Sequence, residues 1–153
     1  MSESRFVYVT YIRTTAERLW QALIDPEFTR RYLMETSLEC TWEPGASWRR
    51  TIPDGRVVNS GQVVEIEPPC RLVLSWRHDL HPDVQQEGYS RCTFELQPQG
   101  DSVKLTVIHE IDMTGSKLIQ GVSNGWPLIL SSLKSLLETG QPLAATRRWP
   151  HDL

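Results

Sequence analysis

Hydrophobic and polar positions alternate along most of this chain with a period near two, and give way to a helical period close to its two ends. Residues 5–13, RFVYVTYIR, are β-branched and aromatic enough to predict a strand. TTAERLWQALID follows with a helix start: Thr14 or Thr15 caps, Glu17 reaches back, and Leu19, Trp20, Leu23 and Ile24 share one face. Asp25-Pro26 closes that helix and opens a second, EFTRRYL, because a residue before proline leaves the α region while proline suits a first turn. From 36 to 112 the runs are short, separated by EPGAS, PDGR, EPP, HDLHPDVQQEG and PQGD. They predict strands at 36–42, 47–52, 59–67, 71–78, 89–97 and 102–112, and tight turns between them make an antiparallel meander.

The last periodic segment puts Val122, Trp126, Ile129, Leu130, Leu133, Leu136 and Leu137 on one stripe of a helix, with Gly140 as its left-handed stop. Pro127 inside that pattern, with Gly121 and Gly125 beside it, predicts a kink or break before the regular helix begins, and from it a movable flap over residues 115–126. These elements bury their apolar faces together if a strongly curved sheet of about seven strands wraps the long C-terminal helix, with two short helices after the first strand: an α+β helix-grip. Residues 1–142 then form a single domain. Residues 143–153 form a tail without a core pattern, either flexible or docking on a partner, and Trp149 in it is a candidate exposed contact for a homodimer.

The whole chain is 153 residues, enough for one core without disulfides or metals. Sixteen basic residues against nineteen acidic ones, with no long basic block, argue against nucleic acid as the main partner. Cys40, Cys70 and Cys92 are scattered, which fits reduced thiols, and neither a signal segment nor a membrane-inserting apolar run is present, so a cytoplasmic location is expected.

The segments AERLWQALIDPEFTRRYL, WEPGASW, GQVVEIEPPCRLVLSW, RCTFELQPQGDSVKLTVIHE and GWPLILSSLKSLLETG, in that order, resemble the START-like (birch-pollen-allergen-like, SRPBCC) superfamily. Within it the chain is similar to the C-terminal domain of the activator of the heat-shock protein 90 ATPase, with Tyr32 where such proteins usually carry tryptophan. The resemblance implies a cavity between the concave sheet face and the long helix, commonly filled by a small apolar or aromatic ligand.

Alternation places Leu72, Leu74, Trp76 and His78 on one strand face, and likewise Cys92, Phe94 and Leu96, and Val103, Leu105, Val107 and His109. The candidate ligand-binding residues are therefore Tyr32, Trp42, Trp48, Trp76, Phe94, Trp126 and Leu130 as walls, with Arg50, Glu65, His78 and His109 as polar anchors. Each has a plainer reading: packed aromatic core, a histidine satisfied at a sheet edge, or Arg50 and Glu65 as solvated side chains rather than a buried pair. His78, Asp79, His81 and Asp83 stand close together, but in a proline-containing loop that reads as a solvated turn. No GxSxG, HExxH or phosphate-cradling loop occurs, so neither cofactor nor metal is expected. Three functions follow: binding of a small hydrophobic or aromatic ligand, in a regulatory or stress-related role; a cyclase- or hydrolase-like enzyme with a histidine or Glu65 as base; and a protein-interaction or chaperone-associated module.

Overall fold

Strand β1 (Ser4–Ile12) leads into helices α1 (Ala16–Ile24) and α2 (Pro26–Tyr32), as the capping pattern predicts. Thr15 accepts from the Arg18 amide, and Asp25 ends α1 while its carboxylate accepts from the Glu27 amide to start α2. A meander follows: β2 (Ser37–Glu39), β3 (Ser47–Thr51), β4 (Val57–Glu67), β5 (Arg71–His78), β6 (Ser90–Gln99) and β7 (Ser102–Ile111). A four-residue helix, α3 (Pro82–Gln85), interrupts the loop between β5 and β6, and α4 (Lys117–Thr139) closes the fold. The computed structural model describes residues 3–150, so residues 151–153 of the predicted tail lie outside the described residues.

The seven strands form one antiparallel sheet in the order β1-β7-β6-β5-β4-β3-β2, with β1 returning to pair with β7. The curved sheet grips α4, as expected from the sequence. Strict alternation on β7 buries Val103, Leu105, Val107, His109 and Ile111, and the first three of these join Leu130, Leu133 and Leu137 of the helix in one hydrophobic cluster. Each such buried aliphatic side chain contributes on the order of 1.5–3 kcal/mol, so this layer is a large favourable part of the core. No helix among the described residues is long and apolar enough to cross a membrane.

Three local features depart from the sequence pattern. Strand β2 stops at Glu39 rather than 42, because the chain turns there and Trp42 takes a left-handed φ of 56°. Strand β4 carries a register shift between Val63 and Glu65, which leaves Val64 and Glu65 both facing out. Helix α4 runs unbroken through Pro127, and Gly121 and Gly125 keep right-handed helical backbone, so the predicted break is absent. Tertiary packing outweighs the local cost of Pro127, since Trp126, Ile129 and Leu130 on either side are buried.

The start of α4 is also tied down. Ser116 caps it, and the Glu87 carboxylate, reaching from the loop after α3, accepts from the Ser116 hydroxyl at 2.6 Å and the Lys117 amide at 2.7 Å. A negative charge on otherwise orphaned amides at a helix N-terminus is favourable twice over, by hydrogen bonding and by the helix dipole. Replacing Glu87 with alanine should therefore destabilise the protein by about 1–2 kcal/mol in chemical denaturation. A change within error would show that water satisfies these amides equally well.

The segment after α4 docks back. Gly140 takes a left-handed φ of 86° and its amide donates to the Leu136 carbonyl, ending the helix. The Leu143 amide then donates to Ser132 at 2.9 Å, and a single helical turn at Ala144–Thr146 buries Thr146 completely. The Thr146 carbonyl accepts from the Met34 amide at 2.8 Å, so this segment is fastened to the turn after α2.

Candidate functional site

The space beneath α4 is divided in two. Under its C-terminal half there is almost nothing to fill: a void of about 30 Å³ lined by Tyr32, Trp42, Phe94, Leu130 and their neighbours, room for about one water molecule. Under its N-terminal half lies a cleft of about 420 Å³, bounded by α4 on one side and by β3, β4, β5 and the α3 loop on the other. Trp76 and Trp126 line both spaces and form the partition between them.

Two glycines make the cleft deep. Gly121 and Gly125 stand one helical turn apart, both line it, and a Cβ built on either would meet no atom within 4 Å. Leu118, Val122, Trp126 and Ile129 supply the apolar wall around them. Across from the helix, Val58, Asn59 and Arg50 come from β4 and β3, and His78 from the end of β5.

Trp126 is held in place by a buried relay. Its indole N–H donates to His109 Nδ1 at 3.1 Å, and His109 Nε2 faces the Ser90 hydroxyl at 2.8 Å. The Ser90 hydroxyl in turn donates to the Trp76 carbonyl at 2.8 Å, so the proton of His109 sits on Nε2. His109 is fully buried, and burial pulls its pKa down to about 3. It is a neutral bracket at physiological pH. Its ring also meets Trp76 edge-on at 5.3 Å, and Trp76 packs against Trp126 at 5.7 Å and Trp48 at 4.7 Å.

Arg50 is the charged group of the wall. Only 8% of it is exposed; its Nε donates to Thr36 at 2.8 Å and one terminal nitrogen to Asn59 at 3.1 Å. Thr36 reaches it because Met34 and Glu35 both take left-handed φ values, 57° and 61°, and swing the chain across. Burial lowers the Arg50 pKa to about 10, which leaves it protonated at neutral pH. The Trp149 ring lies 5.9 Å from its guanidinium. Burial also lowers the pKa of His78, with the neighbouring His81 ring, stacked at 5.1 Å, adding to the effect.

Of the residues singled out in the sequence, Arg50, Trp76, His78 and Trp126 meet at the cleft. Tyr32, Trp42, Phe94 and Leu130 surround the small void instead, with the Tyr32 hydroxyl donating to the Ala22 carbonyl at 2.8 Å and its pKa raised by burial. Trp48 sits behind Trp76, its N–H on the Ser75 carbonyl at 2.9 Å. His109 stands behind Trp126 and does not reach the cleft surface. Glu65 lies outside: the bulge in β4 turns it to the convex face, where it pairs with Arg71 at 2.9 Å and Arg91 at 3.7 Å.

Sequence reasoning missed Asn59, Val84, Leu118 and Trp149 as lining groups, and Trp149 is half-buried against Arg50 rather than free for a partner. The one available signal was the spacing of Gly121 and Gly125 on the apolar stripe, which marks a hollow and not a break. Around the α3 loop the carboxylates are engaged: Asp79 accepts from Ser60 and Arg77, and Asp83 pairs with Lys117 at 2.9 Å. No group of three or more metal-ligating side chains occurs among the described residues.

A family model described as Activator of Hsp90 ATPase homolog 1-like protein matches residues 13–138. None of the curated proteins matches the chain in sequence. Among solved structures, protein MLL2253 from Mesorhizobium loti is 23% identical, with a TM-score of 0.74 over 88% of this chain and 96% of that one. CalU16 from Micromonospora echinospora is 20% identical, with a TM-score of 0.71 over 93% of this chain and 78% of that one. The Aha1 dimer from Colwellia psychrerythraea is 15% identical, with a TM-score of 0.72 over 89% of this chain and 97% of that one. At these identities the likeness speaks for the fold.

Proposed function

This chain belongs to the Activator of Hsp90 ATPase homolog 1-like family, and from that premise we propose that it binds a small, largely apolar or aromatic molecule in the cleft beneath the N-terminal half of α4. One observation carries the reading: at Gly121 and Gly125 the helix leaves open a space that any other residue would begin to fill. Glycine inside a helix costs roughly 1 kcal/mol relative to alanine, so two of them at cleft-lining positions are a stability cost that a solid core would have no use for. The cleft is of a size common for small-ligand sites, and its wall combines apolar side chains with a few polar groups, the usual make-up of such sites.

Binding is favoured over catalysis by the state of the candidate bases. His109 has both ring nitrogens engaged, and Glu65 faces away from the cleft. Protein association is a second reading, supported by Val7, Val9 and Tyr11, which project outward from the edge strand β1 at 47%, 44% and 48% exposure.

The test uses the neutral fluorescent probe N-phenyl-1-naphthylamine. Gly125→Ala should raise the melting temperature, whereas Gly125→Leu should leave the protein folded and weaken probe binding by at least about tenfold as the side chain fills the cleft. Equal affinity in the wild type and Gly125→Leu would remove the cleft as the site. Absence of binding in both would leave the edge strand as the surface to pursue.

A further inference from the structure

Arg50 has no carboxylate partner among the described residues, although it is buried and protonated. Its two hydrogen bonds go to neutral oxygens, on Thr36 and Asn59, which leaves most of its five N–H donors free to serve another acceptor. A buried cation without a counter-charge is costly, and proteins ordinarily supply the missing anion from a neighbouring strand. Here no neighbour does so: the other described ionisable residues lining the cleft are Lys117, His78 and His81, and none is acidic. Lys117 is already neutralised by Asp83 at the mouth. The indole N–H of Trp76 is a second unmet group, since it is buried without an acceptor, as is His78 Nε2. All three side chains border the same cleft.

Resting on the cleft reading above, we infer that the ligand is an organic anion, an aromatic or apolar body carrying one carboxylate, whose charge is met by Arg50 while its body lies along Gly121, Gly125 and Trp126. The carboxylate supplies what the wall lacks, a planar acceptor for the remaining guanidinium N–H groups. Trp149, over the guanidinium, shields that contact from water and so strengthens it. The same cleft presents no acidic group to welcome an amine, so an organic cation of equal shape is rejected.

A matched pair of probes isolates the charge: 2-naphthoate and its neutral isostere 2-naphthamide, titrated by tryptophan quenching at about pH 7, where the carboxylate is ionised. Wild-type protein should bind the naphthoate at least about tenfold more tightly, the range expected for a charge-assisted contact in a partly dry site. Arg50→Gln should bring the ratio close to one. Because the wild-type ratio needs no variant, the inference stays testable if Arg50→Gln fails to fold. A wild-type ratio near one, or a preference that survives in Arg50→Gln, overturns it. So does a ratio that emerges only in Asp152→Asn, which would make the chain's own terminal segment the partner of Arg50. If N-phenyl-1-naphthylamine binds and neither naphthyl compound does, the anion inference falls and the cleft stands. If none of the three binds, the cleft itself fails as a binding site.

Discussion

Gly61→Ala should unfold the protein or leave it barely stable, although the change adds a single methyl group to a strand. A Cβ at residue 61 would lie 1.8 Å from the Ser75 carbonyl oxygen and 2.8 Å from Trp48 Nε1. The first of these is backbone of the adjacent strand, and it cannot rotate away. The close approach has a cause: the Ser75 carbonyl accepts from the Trp48 indole at 2.9 Å, and the Gln62 amide turns to the Ser75 hydroxyl at 2.8 Å. The indole is thus wedged where strands β4 and β5 would otherwise pair, and only glycine lets β4 pass beside it. Overpacking a core typically costs about 1–3 kcal/mol, and a clash with fixed backbone falls at or above the top of that range, about 3 kcal/mol or more. Chemical denaturation of the two proteins measures it directly. The double variant Gly61→Ala with Trp48→Phe, which removes the indole N–H, should recover only part of the loss, because the carbonyl remains. Wild-type stability in Gly61→Ala would mean that the strands separate easily there and that the Trp48 contact contributes little.

Acidification should expose the second large effect, through His109. Its pKa is about 3 in the folded protein against an ordinary value of 6.5, because burial disfavours the charged ring. The unfolded chain therefore binds a proton between pH 6.5 and 3 that the folded protein refuses. The associated stability is fully present above pH 6.5 and is lost as pH falls towards 3, by up to about 1.4 kcal/mol per unit. Protonation would also place an N–H against the Trp126 N–H, which now donates to His109 Nδ1. A glutamine side chain in place of the imidazole offers a carbonyl to Trp126 and an N–H to Ser90 without titrating. Stability measured at a series of pH values should accordingly fall less steeply in His109→Gln than in the wild type below pH 6.5. His109→Leu, by contrast, strands Trp126 and should cost about 1–3 kcal/mol at neutral pH. Parallel pH curves for the wild type and His109→Gln would assign the acid sensitivity to other groups.

The same residue shows how far one-dimensional reasoning reaches. That His109 continues the inward face of β7 follows from alternation, since successive side chains of a strand point to opposite faces whatever surrounds them. Its role as a bracket for Trp126 depends on two residues from other elements, Ser90 and Trp126, whose approach no local rule encodes. Glu65 is the opposite case. Counting by two from Val63 puts it inside, and a bulge, which is a pairing event between strands, puts it outside.

Local chemistry was therefore enough for the order of the seven strands with α1, α2 and α4, the antiparallel meander, a cap at Thr14 or Thr15, the boundary at Asp25, the stop at Gly140 and the apolar stripe of α4, because each depends on residues within a few positions of one another, whereas α3 and the turn at Ala144–Thr146 were not legible. The same periodicity, joined to the resemblance, was enough for the helix-grip. Whether the gripped space is solid or hollow was decided only when the chain closed. Leu130 and Phe94 meet across a void of about 30 Å³, while one turn along the same helix Gly125 faces a cleft of about 420 Å³. Arg50 became a buried charge through Thr36, Asn59 and Trp149, which approach from before it, after it and the far end of the chain. Burial and unmet hydrogen bonds are properties of a neighbourhood in space, and sequence distance carries no record of them.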